Sequence, residues 1–118
     1  MTTNMTPAQI VAESLEQYPG DARIAVGYAV ADLGAELTEV LMNEFTRVAG
    51  LVFAAPPSPF CRHEWTEVID FTATGTVLVH ASGRVLDGTA EIAEEATAIE
   101  QRDRAGVRHD MATTRGSR

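Results

Sequence analysis

Cys61, His63 and His80 are the side chains here with the most chemistry to offer, and two of them stand two positions apart in Cys61-Arg62-His63-Glu64-Trp65. On an extended strand, residues two apart share a face. A thiol and an imidazole would then sit side by side, with His80 brought in from the next strand. Zinc accepts sulfur and nitrogen ligands of this kind. The same set, with Glu67 or Asp70 orienting an imidazole, is the minimum for a thiol nucleophile and its base. Strong zinc motifs, however, bring two closely spaced ligand pairs, and only one pair is present. There is no G-x-S-x-G elbow, H-E-x-x-H or phosphate-binding glycine loop. The preferred account is blander. Cys61 serves as a small apolar residue, and His63 is a hydrogen-bonded, half-buried polar group. The reading leans away from an enzyme, and zinc at Cys61, His63 and His80 stands as the alternative.

The stretch resembles the C-x-H-x-W opening of some zinc ribbons. The second ligand pair that such ribbons carry has no counterpart in residues 76–82, which hold one histidine and no cysteine. Two glutamates supply a further candidate. Glu44 falls in the middle of an apolar helix stripe, and Glu67 falls on the apolar face of a strand. Both are expected to be buried polar groups, each in need of a partner or a raised pKa. Together they are candidates for paired acid and base work. Asp87, Glu91, Glu94, Glu95 and Glu100 form an acidic run that suggests a third possibility, a decoy occupying a partner's nucleic-acid site. The arginines nearby dilute that run, so a solvated helix face is preferred.

Composition narrows the classes. The chain has 118 residues, 45% of them hydrophobic, and a net charge of −8. This is enough for a folded core. It weighs against a nucleic-acid binder, which needs a cationic footprint. All nine basic residues are arginine. The absence of lysine, with abundant Ala, Gly and Val, fits a GC-rich coding sequence such as that of a high-GC bacterium or one of its viruses. The N-terminus lacks the blocks of a signal peptide, and charges interrupt the longest apolar stretch, so no membrane span is expected. A cytoplasmic location follows by elimination (the host cytoplasm if the chain is viral).

The elements that must position these residues read as α+β. They are an N-terminal helical hairpin with one long helix, a short antiparallel β-meander, and a C-terminal helix. Residues 1–5 read as a disordered N-terminus and 6–106 as a single domain. Within it, 6–55 form the helical half, 56–60 a Pro-rich connector, 61–88 the meander and 89–105 the last helix, with an extended reading of the latter as competitor. Residues 107–118 read as a disordered tail. Helix 1 opens on Thr6-Pro7-Ala8-Gln9, a capping box with proline at the first helical position. Asp21 caps a second helix that the apolar periodicity carries from Ala22 to Phe53, over ~40 Å. One face holds Val26, Val30, Leu33, Leu37 and Leu41. Beside it runs a strip of small residues, Gly27, Ala31, Gly34 and Thr38. Mid-helix glycine costs about 1 kcal/mol, so two of them imply a tight crossing. A rod this long exposes more apolar surface than a small domain covers. The expected interface is therefore Val26, Gly27, Val30, Ala31, Leu33, Gly34, Leu37 and Leu41, and the expected assembly is a homo-oligomer, most simply a dimer. The leading function is a small non-catalytic interaction protein, a regulatory, accessory or structural subunit.

Overall fold

The structure, a computed structural model, describes residues 5–116, with side chains as far as Ala105. The expected disorder of residues 1–4 and of 117–118 lies outside the described residues. Helix α1 (Pro7–Gln17) begins as its sequence dictates. Thr6 Oγ1 accepts from the Gln9 N–H at 3.2 Å, and Gln9 Oε1 accepts from the Thr6 N–H at 2.8 Å. Ile10, Val11 and Ser14 form its buried face. The one hydroxyl there is satisfied within the helix, donating to the Ile10 carbonyl at 2.8 Å.

The long second helix is not continuous. It is two helices, α2 (Ala22–Ala31) and α3 (Glu39–Ala49), and the strand β1 (Val52–Ala54) occupies the end of the expected rod. Gly34 adopts φ 71°, which carries the chain out of helical geometry. Thr38 then caps α3 by accepting from the Leu41 N–H at 3.2 Å, and Gly50 ends α3 at φ 72°. The break lets α3 fold back beside α1. Leu41 and Phe45 of α3 thus join Ile10, Val11, Ala25, Val26 and Ala29 in one core. A straight rod would have left that apolar surface in water, at roughly 25 cal/mol per Å².

Four strands form an antiparallel meander in the order β1-β2-β3-β4. The added strands are β2 (Trp65–Ile69), β3 (Val77–His80) and β4 (Val85–Leu86). The expected meander is present, with β1 as a fourth strand. The strand expected from Cys61 starts four residues later. Phe60–Arg62 form a 3₁₀ turn closed by the His63 N–H on the Phe60 carbonyl at 3.0 Å. Glu64 at φ 64° then redirects the chain into β2.

Helix α4 (Thr89–Gly116) follows directly. It is helical, as preferred over the extended reading. It passes Gly106 without stopping, so its backbone is helical where a tail was expected. The sheet has a core on each face. Val68, Val77 and Val79 face the α1–α3 layer. Trp65, Leu78 and Leu86 face α4 and meet Ile99, with Ile92 and Ala96 packed alongside. No helix among the described residues is long and apolar enough to cross a membrane.

The small-residue strip does make a tight crossing, but with the chain's own hairpin. A Cβ built on Gly27 would fall 2.2 Å from Val85 Cγ2. Gly83, in the β3–β4 turn, lies directly over Ala31. The expected interface is therefore largely covered within one chain. Val26, Gly27, Val30 and Leu41 are buried, and Leu33 and Leu37 are half-buried against the same core. Gly34 crosses nothing, since a Cβ there would meet open space. Its role is the turn.

Candidate functional site

The three residues singled out for zinc are held apart by separate duties. Cys61 is exposed on the 3₁₀ turn. His63 places Nε2 3.1 Å from Asp103 Oδ2 on α4, where Arg62 also reaches at 3.2 Å. His80 pairs Nδ1 with Ser82 Oγ at 2.9 Å and also accepts from the Ser82 N–H. Among the described residues, no group of three or more His, Cys, Asp or Glu side chains is placed to hold a metal ion. Because Cys61 and His63 lie on a turn, not a strand, the shared face that would have aligned them does not exist.

The two glutamates do not meet either. Glu44 pairs with Arg47 on α3, with Nε–H to Oε1 at 3.2 Å and Nη2 on Oε2. That guanidinium holds the Glu44 carboxyl below its usual range. Glu67 sits opposite Leu78 in the β2–β3 register, so it shares the α4-side face of the sheet. Glu44 belongs to the layer on the other face, and the sheet separates them. The acidic run also changes character. Glu95 is buried and binds Arg84 at 2.7 Å and Arg102 at 3.3 Å. The Arg84 hydrogen bond is the main reason its carboxyl is held low, against the opposing effect of burial. What should be a solvated charge is a clasp for α4.

That clasp shapes the surroundings of Trp65. Arg84, gripped by Glu95, lies 5.5 Å from the centre of the indole. Phe60 meets the ring edge-on at 5.7 Å and His80 at 5.0 Å. The indole is fixed on three sides, and the ring is 6% exposed as a residue. Trp65 stands in the sequence only as the last residue of C-x-H-x-W; its aromatic neighbours come from the turn and the hairpin, which spacing along one strand does not reveal.

The main chain of Trp65 is another matter. The Ala81 N–H donates to the Glu64 carbonyl at 3.0 Å, which sets the even residues of β2 towards β3. Trp65, Glu67 and Ile69 therefore turn their N–H and C=O groups towards β1. Ile69 and Glu67 find Val52 and Ala54 there, but the ladder stops at Ala54. Pro56, next in line opposite Trp65, has no N–H to offer. Two cavities border Trp65 and Thr66 at this notch. The larger, about 440 Å³, is bounded by Glu36 and Leu37 of the α2–α3 loop and by Glu64, Trp65 and Thr66. The smaller, about 280 Å³, lies between Trp65, Thr66, Met42, Phe53, Pro56 and Cys61. Sequence reasoning passed over this feature because it depends on where a ladder ends, which only the register shows.

No family model, curated protein or solved structure matches the chain.

Proposed function

We propose that this chain is a non-catalytic interaction protein that takes hold of an extended segment of a partner at the notch beside Trp65. The observation that carries this reading is the β1–β2 ladder, which stops at Ala54, one pair short of Trp65, a residue that borders two cavities. Strand edges recruit extended peptides by main-chain pairing, and flanking pockets sort the side chains. The chain's buried charges support the reading from the other side. Arg23 is consumed by Asp21 and the loop carbonyls of Thr74 and Gly75. Glu95 is consumed by two arginines. Arg23 fixes the β2–β3 loop, and Glu95 fixes Arg84 beside the Trp65 indole.

Self-association belongs to the same proposal, on a different surface from the one expected. The outer row of α3 carries Val40, 62% exposed, and Val48, 47% exposed. They flank the Glu44–Arg47 pair, and a two-fold contact between two such rows is the simplest dimer. Two measurements on the full chain test the proposal. The first is sedimentation velocity across a wide concentration range. The second is cross-linking from a photoreactive maleimide on Cys61, the single cysteine, which borders the smaller cavity. An adduct that maps to one segment of one protein supports partner docking, and a concentration-dependent dimer weakened by Val48→Glu supports self-association. A strict monomer with only diffuse labelling overturns both.

A further inference from the structure

We propose that the segment received at the Trp65 notch is cationic, with an arginine or lysine side chain in the larger cavity and an aliphatic side chain, two residues away, in the smaller one. The inference rests on the notch being a docking site and names the chemistry of its occupant. Glu36 and Glu64 come from different elements and border the same cavity. Among the described residues neither carboxylate is engaged by an arginine: Arg62 is committed to Asp103, Arg84 to Glu95 and Arg47 to Glu44. A cation entering here gains two opposite charges without breaking an existing ion pair. The overall charge of −8 favours its approach and opposes an acidic segment or a phosphate backbone.

The smaller cavity has the opposite character. Met42, Phe53, Pro56 and Cys61 give it apolar walls and no charge. Its volume of about 280 Å³ admits a side chain of valine or leucine size. Trp65 and Thr66 border both cavities, so an extended segment that crosses them can present one side chain to each. On such a segment, side chains two apart point the same way and stand about 7 Å from each other. One lands in each cavity when the residue between them points out to water.

The chain carries its own reporters, since Trp65 is the only tryptophan and Cys61 the only cysteine. The probes are two degenerate octapeptide libraries, blocked at both ends. One has arginine fixed at the fourth position and the other has glutamate there. The readouts are the rate of Cys61 alkylation by iodoacetamide and the emission of Trp65. The arginine library is expected to slow alkylation roughly tenfold at about ten times its Kd, and the glutamate library is expected to leave the rate unchanged. A single valine- or leucine-bearing peptide selected from the arginine library should bind Glu36→Gln/Glu64→Gln about tenfold more weakly. It should bind Glu91→Gln/Glu94→Gln, which removes the same charge from α4, as it binds the parent. Equal protection by the glutamate library overturns the proposal, and so does equal weakening in the two double variants. If neither library protects Cys61 but the maleimide cross-link still maps to one partner segment, the cationic occupant is wrong and the docking site stands. If both fail, the docking site falls as well.

Discussion

Gly83 rests so closely on Ala31 that a Cβ built on it would lie 2.4 Å from the Ala31 Cβ and 2.6 Å from the Ala31 nitrogen. The hairpin turn is thereby seated on α2 with no room for a side chain. Gly83 also has φ 96°, which disfavours any other residue.

Gly83→Ala is therefore expected to cost about 2–4 kcal/mol, combining left-handed strain with overpacking against backbone that cannot yield. Gly27→Ala clashes chiefly with a side chain, Val85 Cγ2 at 2.2 Å, and only more loosely with backbone, the Gly83 carbonyl at 3.1 Å, so its cost is expected to be smaller, about 1–3 kcal/mol. Removing that methyl with Val85→Ala should recover part of the loss. A double-mutant cycle by urea denaturation checks this: a purely additive pair would show that the clash does not govern the cost.

Acid should loosen the start of α2. The hydrogen bond from Arg23 holds the Asp21 carboxyl below its usual 3.8. A carboxyl with a lowered folded pKa contributes stability that is complete above the unfolded value and lost as pH falls through the folded one. Glu95, held below its usual 4.5, acts in the same sense. Stability should hold from neutral pH down to about 4.5 and decline below it. In Asp21→Asn and Glu95→Gln the decline should be shallower. Urea midpoints measured along a pH series decide it, and parallel curves for parent and variants would refute it.

The hold of α4 on the sheet should be separable from the rest of the fold. Ile99 is fully buried against Trp65, Leu78 and Leu86. Ile99→Ala is expected to cost about 2–4 kcal/mol, and Glu95→Ala, which frees two arginines to reach water, about 1–2 kcal/mol. Both should raise amide exchange in α4 first and shift Trp65 emission to the red, leaving α1–α3 protected. Uniform loss of protection across all helices would show one indivisible unit.

Glu64 holds φ 64° without being glycine. Left-handed geometry costs a non-glycine residue roughly 1–2 kcal/mol, while glycine gives back about 0.5–1 kcal/mol through the freer unfolded chain. Glu64→Gly is thus expected to be neutral or stabilising by up to about 1.5 kcal/mol. The β-branched Glu64→Val should be clearly destabilising. A loss of stability in Glu64→Gly would mean that the side chain contributes contacts of its own.

Much of the architecture was legible because it is written in local chemistry. Thr6 and Gln9, or Asp21 accepting from the Arg23 N–H at 3.0 Å, are decided within a few residues. The break between α2 and α3 was written there too, in Gly34 and Thr38. Periodicity hides it, because residues 22–31 and 39–49 continue one helical phase across the gap. Gly34 reads as a packing residue beside Gly27, yet of the two only Gly27 packs. The strand expected from Cys61 fails in the same way. Its first four residues keep period two by composition, while the prolines before them and the 3₁₀ turn set the geometry. The notch at Trp65 lay beyond reach for a different reason. It arises from a ladder that ends at Ala54, and no single segment encodes where two strands stop pairing.

The strand order has a kinetic consequence. Every strand of the sheet lies beside its neighbour in the chain, and the links are residues 55–64, 70–76 and 81–84. Closing loops of such lengths costs little more entropy than closing the shortest of them. Sheets built from local pairings reach their transition state quickly, whereas crossovers between distant strands are slow. The meander can therefore form early as a template, onto which α2 is drawn by the Gly27 and Gly83 contacts and α4 by the row around Ile99. A strand edge left open while this happens is brief and short, which limits the time in which the chain can pair with a stranger in place of itself.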